Sequence, residues 1–212
     1  ELNSCMFTLD ANGPHPPVHL LSDEKFACLN GEQIYLFLVS QSELIWYGEW
    51  MESTDEETFQ VTIHRFLSAM DTAGQVCGHL EPEELYAPAS VTTDGWIAAQ
   101  NAWKTEVSGI DLLECKRHGQ KRVSVTLDEF TKTHPEGLPF QHQKLQDDFN
   151  SILNAPSLAA YAQRVRRNRE RYKDEPILLK RLDILKEKRF LFTNHLKHED
   201  ASAYSAPLDR SM

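Results

Sequence analysis

Two short segments of the chain bring a cysteine and a histidine close together. Cys77 and His79 form the first pair, and Cys115 and His118 form the second. Thiolate and imidazole groups are ligands that Zn²⁺ takes in tetrahedral sites, so the four residues could form a Cys₂His₂ site. The spacing within each pair is not a standard zinc spacing, and only the fold could bring the pairs together. A metal site is therefore an alternative, and the sequence predicts no resident cofactor.

The same pairs also suit nucleophilic catalysis, in which a histidine base activates a cysteine thiol. Closeness in sequence does not establish that geometry. The chain lacks the motifs of P-loop and dinucleotide-binding proteins, serine hydrolases, zinc metalloproteases and EF-hand calcium sensors. A Cys/His enzyme is thus an alternative, and a non-catalytic protein is the leading interpretation.

Another candidate site is a concentration of basic residues towards the C-terminus. Residues 164–189 hold 11 Lys or Arg against five Asp or Glu, in a chain whose formal net charge is −10. Guanidinium groups form paired hydrogen bonds with phosphate or carboxylate oxygens, so this segment could bind a polyanion or an acidic partner. The candidate binding residues are Arg164, Arg166, Arg167, Arg169, Arg171 and Lys173.

The charge of the whole chain decides which partner we favour. A net negative field repels nucleic acid at long range, so we predict a protein partner in preference to nucleic acid. The leading interpretation is a macromolecule-binding protein with an acidic body and a basic C-terminal helix. A nucleic-acid-associated protein that uses the arginine-rich helix is an alternative. In a third interpretation, these arginines only pair with the protein's own acidic residues.

Trp46 and Trp50 are weaker candidates for partner binding. They are four residues apart in a predicted strand and therefore share one face, while Tyr47 takes the other face. Such a face is usually core. If it is exposed, two tryptophans on it would be strong contacts for a partner.

The first 53 residues are predicted to form an antiparallel β-meander. Lys25–Leu29 and Gln33–Val39 flank Asn30–Gly31, which is the strongest short hairpin signal. Leu44–Met51 provides a third strand after a short polar break.

An amphipathic helix is predicted to follow the meander. Ser53 with Glu56 and Thr54 with Glu57 both fit the capping box, and Gly74 is expected to end the helix. The apolar residues that repeat at helical spacing are Phe59, Ile63, Phe66, Leu67 and Met70. Residues 81–94 contain two prolines and no period, which indicates a surface connection. Trp96–Trp103 is predicted to be a short helix.

A second hairpin is predicted from Ile110–Cys115 and Arg122–Leu127. The polar segment Lys116–Lys121 would form its turn. Within the second strand, Val123, Val125 and Leu127 alternate with polar residues, which is typical of a half-exposed strand.

Three amphipathic helices are predicted after Pro139. The first contains Leu145–Leu153, the second begins near Leu158, and the third runs from Pro176 to about Leu196. The segment Ile177 to Leu196 is apolar on more than one side. A homodimer through this helix is therefore an alternative to simple burial.

These elements predict the α+β class, because strands come first, helices come later, and no regular βαβ alternation occurs. The predicted divisions are a β-rich α+β domain at 1–138, a C-terminal helical segment at 139–198 and a flexible tail at 199–212. The four cysteines are scattered and no Asn-x-Ser/Thr sequon occurs, so we predict reduced thiols and a cytoplasmic location. No apolar run approaches the roughly 20 residues that a membrane helix needs.

Overall fold

The computed structural model describes residues 15–41, 44–134, 139–198 and 200–204. The chain divides by packing into two compact units, one formed by residues 1–112 with 200–212 and the other by 113–199. The described residues form a five-stranded mixed sheet and seven α-helices, which confirms the α+β class. The predicted domain boundary at residue 138 stays a prediction, because division by packing does not measure independent folding.

The N-terminal meander is present as predicted. Strand β1 (His19–Leu29) pairs antiparallel with β2 (Glu32–Gln41), which pairs antiparallel with β3 (Leu44–Met51). Asn30 and Gly31 join β1 to β2 with φ values of 53° and 86°. Both residues have a left-handed backbone conformation. Asn and Gly adopt this conformation more readily than other residues, so an Asn-Gly sequence favours this turn.

Two further strands extend the sheet on the other side of β1. Strand β4 (Ser90–Thr93) pairs parallel with β1, and β5 (Asp111–Glu114) completes the order β3-β2-β1-β4-β5. The prediction of a surface connection over 81–94 is therefore wrong for its last part. All four residues of β4 are buried, and a strand covered on both faces shows no alternation in sequence.

Helix α1 (Glu56–Val76) confirms the helix predicted after the meander, but both predicted capping boxes are wrong. Asp55 is the N-cap, and its side chain accepts a 2.8 Å hydrogen bond from the backbone N–H of Thr58. The Ser53 hydroxyl donates to the Asp55 carboxylate instead of capping the helix directly. The hydrogen bond from Ser53, followed by that from Thr58, lowers the pKa of Asp55. An ionised carboxylate at this end also suits the helix dipole.

Gly74 does not end α1, contrary to the prediction. The helix continues to Val76 with Cys77 as its C-cap, and Gly78 follows with a φ of +74°. Gly74 suits this position for a different reason, because a Cβ atom there would lie 2.6 Å from the Leu80 side chain, which would have to shift. The chain turns back closely over the helix at this point.

Helix α2 (Ile97–Glu106) confirms the short helix predicted around Trp96–Trp103. The two tryptophans do not share one environment, because Trp96 is the exposed N-cap and Trp103 is buried. Trp103 packs edge-on to Phe66 of α1 at 6.1 Å, and Phe59 of α1 packs against Phe37 of the sheet at the same distance. These contacts form the core of the first unit.

The predicted second hairpin is wrong, because residues Lys116–Thr133 form helix α3. Gly119, Val123 and Leu127 are buried at intervals of four, while Val125 is 60% exposed. An alternation that covers only five residues fits both a strand and a helix. Packing against other helices of the second unit decides between them.

The second unit is helical. After α3 the helices are α4 (Pro139–Leu153), α5 (Leu158–Arg171), α6 (Pro176–Glu187) and α7 (Arg189–Thr193), and a 3₁₀ helix covers Asn194–Lys197. The single helix predicted from Pro176 to Leu196 is therefore interrupted at Lys188. The buried core of the unit comprises Val123, Leu127, Leu145, Phe149, Ile152, Leu153, Ala155, Tyr161, Val165, Leu178, Leu182, Leu185 and Phe192. The proposed homodimer through this segment stays a prediction.

No helix in the described ranges is both long and apolar enough to cross a membrane. The predicted flexible tail at 199–212 falls largely outside the described residues. Within its described part, the Ser202 carbonyl accepts a 2.6 Å hydrogen bond from the Thr92 hydroxyl of β4.

The β1–β2 turn provides a test of the sheet register. Gly31→Val forces a β-branched residue into a left-handed conformation, so we expect a loss of roughly 1–3 kcal/mol in the free energy of unfolding. Gly31→Asn is the matched control and should lose less, because Asn tolerates this conformation. Chemical denaturation measures both variants, and a Gly31→Val variant as stable as the wild-type protein would contradict the turn.

Candidate functional site

Helix α5 carries all but one of the predicted basic site residues, and its own packing sets their directions. Ser157 caps the helix by accepting a hydrogen bond from the Ala160 N–H at 3.1 Å. Tyr161, Val165 and Asn168 are the buried residues of α5. Because each residue advances the direction by about 100°, positions 166 and 167 lie away from this buried stripe.

Three of the predicted basic residues are held by groups of the second unit itself. Arg164 donates to the Ser151 carbonyl, and Arg169 forms an ion pair with Asp183. Arg171 pairs with Asp148 at 2.5 Å, and the Tyr172 hydroxyl donates to the same carboxylate. The hydrogen bond to Asp148 raises the pKa of Arg171, while burial, followed by the Asp148 contact, raises the pKa of Tyr172 to about 12.

The other three predicted basic residues are available to a partner. Arg166, Arg167 and Lys173 are exposed or half-buried and form no ion pair with any described residue. We call these three residues the basic surface. They line a depression of about 920 Å³, together with Gln163, Arg164, Arg169, Glu170 and Leu179. The described lining contains five cationic side chains against one carboxylate, so the depression favours an anion.

The four candidate zinc ligands are placed without a metal geometry. Cys77 is the half-buried C-cap of α1, and the His79 ring lies 4.8 Å from the His15 ring. Cys115 is the buried N-cap of α3, with His118 on the same helix. Across the described ranges, no group of three or more His, Cys, Asp or Glu residues is placed to hold a metal ion. The structure therefore gives no support to zinc at these residues.

Trp46 and Trp50 do not form a shared face. Trp46 is 1% exposed and Trp50 is 61% exposed. The register between β2 and β3 shifts at this point, since Val39 pairs with Tyr47 while Ser40 pairs with Ile45. The extra residue breaks the two-residue alternation on which the prediction depended. Of the two tryptophans, Trp50 alone is exposed to a partner.

A group of acidic residues on β1 is absent from the sequence-based candidates. Asp23 and Glu24 are both buried, and Asp23 pairs with Lys25 at 2.6 Å. In the parallel pairing of β1 with β4, Leu21 lies opposite Thr92. Asp94 follows directly after β4. The predicted strand begins only at Lys25, because three consecutive polar residues before it resemble a loop.

Burial has a strong effect on Glu24. This residue is 7% exposed and lies opposite Phe37 in the sheet. Burial, followed by the charges of Asp94 and Asp23, raises the pKa of Glu24 well above its usual range. One of its oxygen atoms has no hydrogen-bond partner in the described part of the chain. The surroundings of Glu24 therefore favour the neutral form of its carboxyl group.

Two buried polar contacts organise the second unit. The buried Glu114 carboxylate is held by Arg122 and by Lys188, the latter at 2.6 Å. Lys116 Nζ lies 3.0 Å from His195 Nε2. Burial lowers the pKa of Lys116, and burial followed by the Lys116 charge lowers the pKa of His195. A lysine ammonium can only donate a hydrogen bond, so with a charged Lys116 this contact requires a neutral His195 ring whose Nε2 accepts.

No family model and no curated protein matches this chain. Its function is therefore inferred from the geometry and the charges of the two units.

Glu24 gives the first unit a defined pH dependence. An unfolded glutamate ionises near pH 4.3, whereas folded Glu24 ionises only at higher pH, so the folded state binds more protons in between. Protonation of folded Glu24 therefore contributes its full stabilisation below about pH 4, and this stabilisation is lost as the pH rises through the raised pKa of Glu24.

Glu24→Gln removes this ionisation while keeping the side-chain size. We expect the variant to be more stable than the wild type at pH 8 by on the order of 1 kcal/mol, and to show no such advantage at pH 4. Denaturation curves at the two pH values measure the difference. An advantage of the same size at both pH values would contradict the raised pKa.

Proposed function

We propose that this chain is a macromolecule-binding protein that binds the phosphate backbone of a nucleic acid through the basic surface. The observation that carries the proposal is that Arg166, Arg167 and Lys173 line one large depression without ion-pair partners among the described residues. Arg169 and Arg171 pair with acids of the unit and Arg164 donates to a backbone carbonyl, so contacts within the unit account for only half of the predicted site.

The lining of the large depression favours phosphate over a protein surface. Its one apolar member among the described residues is Leu179, whereas stable protein interfaces depend on buried apolar or aromatic anchors. Phosphate oxygens need only charge and guanidinium donors in a suitable orientation. Binding of this kind releases counterions and is independent of base sequence.

The negative charge of the whole chain does not prevent such contacts. At physiological salt, exposed charges are screened beyond about 8 Å, so distant acids act weakly on a phosphate at the basic surface. The net charge of −10 instead slows the approach of a polyanion from a distance. We therefore expect weak to moderate affinity with a strong dependence on salt.

The test replaces the three available cations and keeps the three that are paired. In the Arg166→Gln, Arg167→Gln, Lys173→Gln variant, we expect weaker binding to a duplex oligonucleotide and a salt slope reduced by up to about 3 units, near one per contact. Gln preserves helix propensity, so the free energy of unfolding should change by less than about 0.5 kcal/mol. Fluorescence anisotropy at several salt concentrations measures the binding.

The matched control changes three exposed lysines of the same unit that do not line the depression, Lys121, Lys132 and Lys144. This control removes the same charge, so it should keep most of the affinity. Equal losses in the two triple variants would indicate a diffuse charge effect. Absence of wild-type binding at low salt would reject the proposal.

A further inference from the structure

A smaller depression in the second unit has a lining that phosphate binding does not explain. It encloses about 400 Å³, within the usual range of ligand pockets of roughly 300–1,000 Å³. Its lining is divided between apolar and cationic side chains. The residues are Tyr161, Ala162, Val165, Arg166, Arg169, Lys186 and Arg189. We call it the apolar-basic depression.

The apolar part of the lining comes from α5. Tyr161 and Val165 are buried, and Ala162 is exposed. The Tyr161 hydroxyl donates a 2.8 Å hydrogen bond to the Leu185 carbonyl. The polar atom of Tyr161 is therefore already used. Because Tyr161 and Val165 are almost fully buried, Ala162 and the aliphatic stems of the basic side chains supply most of the exposed apolar surface. A matching ligand would place an apolar group here.

The remaining lining is entirely cationic. Arg166 and Lys186 are exposed and form no ion pair with a described residue, while Arg169 is paired with Asp183. The Arg189 guanidinium lies 4.4 Å from the ring centroid of Phe190, a cation–π contact that fixes its position. Among the described residues, no carboxylate lines the apolar-basic depression. A matching ligand would therefore carry negative charge beside its apolar group.

We propose that the apolar-basic depression docks an acidic protein segment that inserts one apolar side chain between the cations. Charge complementarity carries this choice of occupant. Arg166 and Arg169 also line the larger depression, so cationic surface continues beyond the apolar-basic depression. A segment with several carboxylates can follow that surface, whereas a small molecule cannot.

A nucleic acid fits this depression less well. A base stacks on an exposed aromatic face, and Tyr161 is only 1% exposed. The sugar-phosphate backbone offers no aliphatic side chain for Ala162 and Val165. The two proposals share Arg166, so the tests of peptide docking use Lys186 and Arg189, which do not line the larger depression.

The test uses a fluorescein-labelled peptide of about 12 residues, made of Asp and Glu with one central Leu, and a matched peptide with Ser in its place. We expect the Leu peptide to bind the full chain at least ten-fold more tightly. Lys186→Gln with Arg189→Gln should lower its affinity at least five-fold. Ala162→Glu, at an exposed position, should do the same by placing a carboxylate in the depression.

The controls separate peptide docking from a general effect of charge and from oligonucleotide binding. Lys121→Gln with Lys132→Gln removes equal charge and should change peptide affinity less than two-fold. Lys186→Gln with Arg189→Gln should leave oligonucleotide affinity within two-fold, whereas Arg167→Gln with Lys173→Gln should lower it. The peptide result therefore stands whether or not the oligonucleotide binds.

Three results would overturn the proposal. The Leu and Ser peptides could bind equally, which would leave no role for the apolar part. Ala162→Glu could have no effect while the protein remains folded by circular dichroism. Octanoate could bind as tightly as the Leu peptide, which would make the site one for small amphipathic anions.

Discussion

The arrangement of the second unit depends on one buried carboxylate. Glu114 is removed from water and would be strongly destabilising without partners, and Arg122 from α3 and Lys188 from the junction of α6 and α7 supply them. Lys188 lies between the two helices, as the C-cap of α6 and the N-cap of α7. Lys186 and Arg189, on either side of it, line the same depression as Arg166. A buried ion pair thus positions exposed cations.

The arginines of α5 form two groups, one held by contacts within the unit and one without ion-pair partners among the described residues. Arg164, Arg169 and Arg171 fasten α5 to its neighbours through a carbonyl and two carboxylates. Arg166 and Arg167 lie on the side of α5 that faces away from its buried residues. Exposed ion pairs contribute little to stability, so the paired group acts mainly to orient the helix. The unpaired group keeps its charge available to an anion.

The first unit has the opposite electrostatic character. Its strand β1 carries the buried Asp23 and Glu24, and the charge of Asp94 further disfavours ionisation of Glu24. Natural cores rarely keep a carboxyl group under these conditions unless it is paired, because burial without a partner costs stability. Such costs are concentrated at functional sites. The buried acids on β1 and the nearby charge of Asp94 after β4 distinguish these two strands from the rest of the sheet.

Local sequence determined the elements whose signals are short-range. Asn30–Gly31 defined the first turn, the repeat from Phe59 to Met70 defined α1, and the arginine count of α5 located the candidate surface. Tertiary structure decided what depends on distant neighbours. Val123 to Leu127 fits either a strand or a helix until packing chooses α3, β4 has no pattern because both its faces are covered, and one extra residue in β3 separates Trp46 from Trp50. Which arginines remain available was likewise undecided by sequence, since Asp148 and Asp183 reach them only through the packing of α4 and α6 against α5.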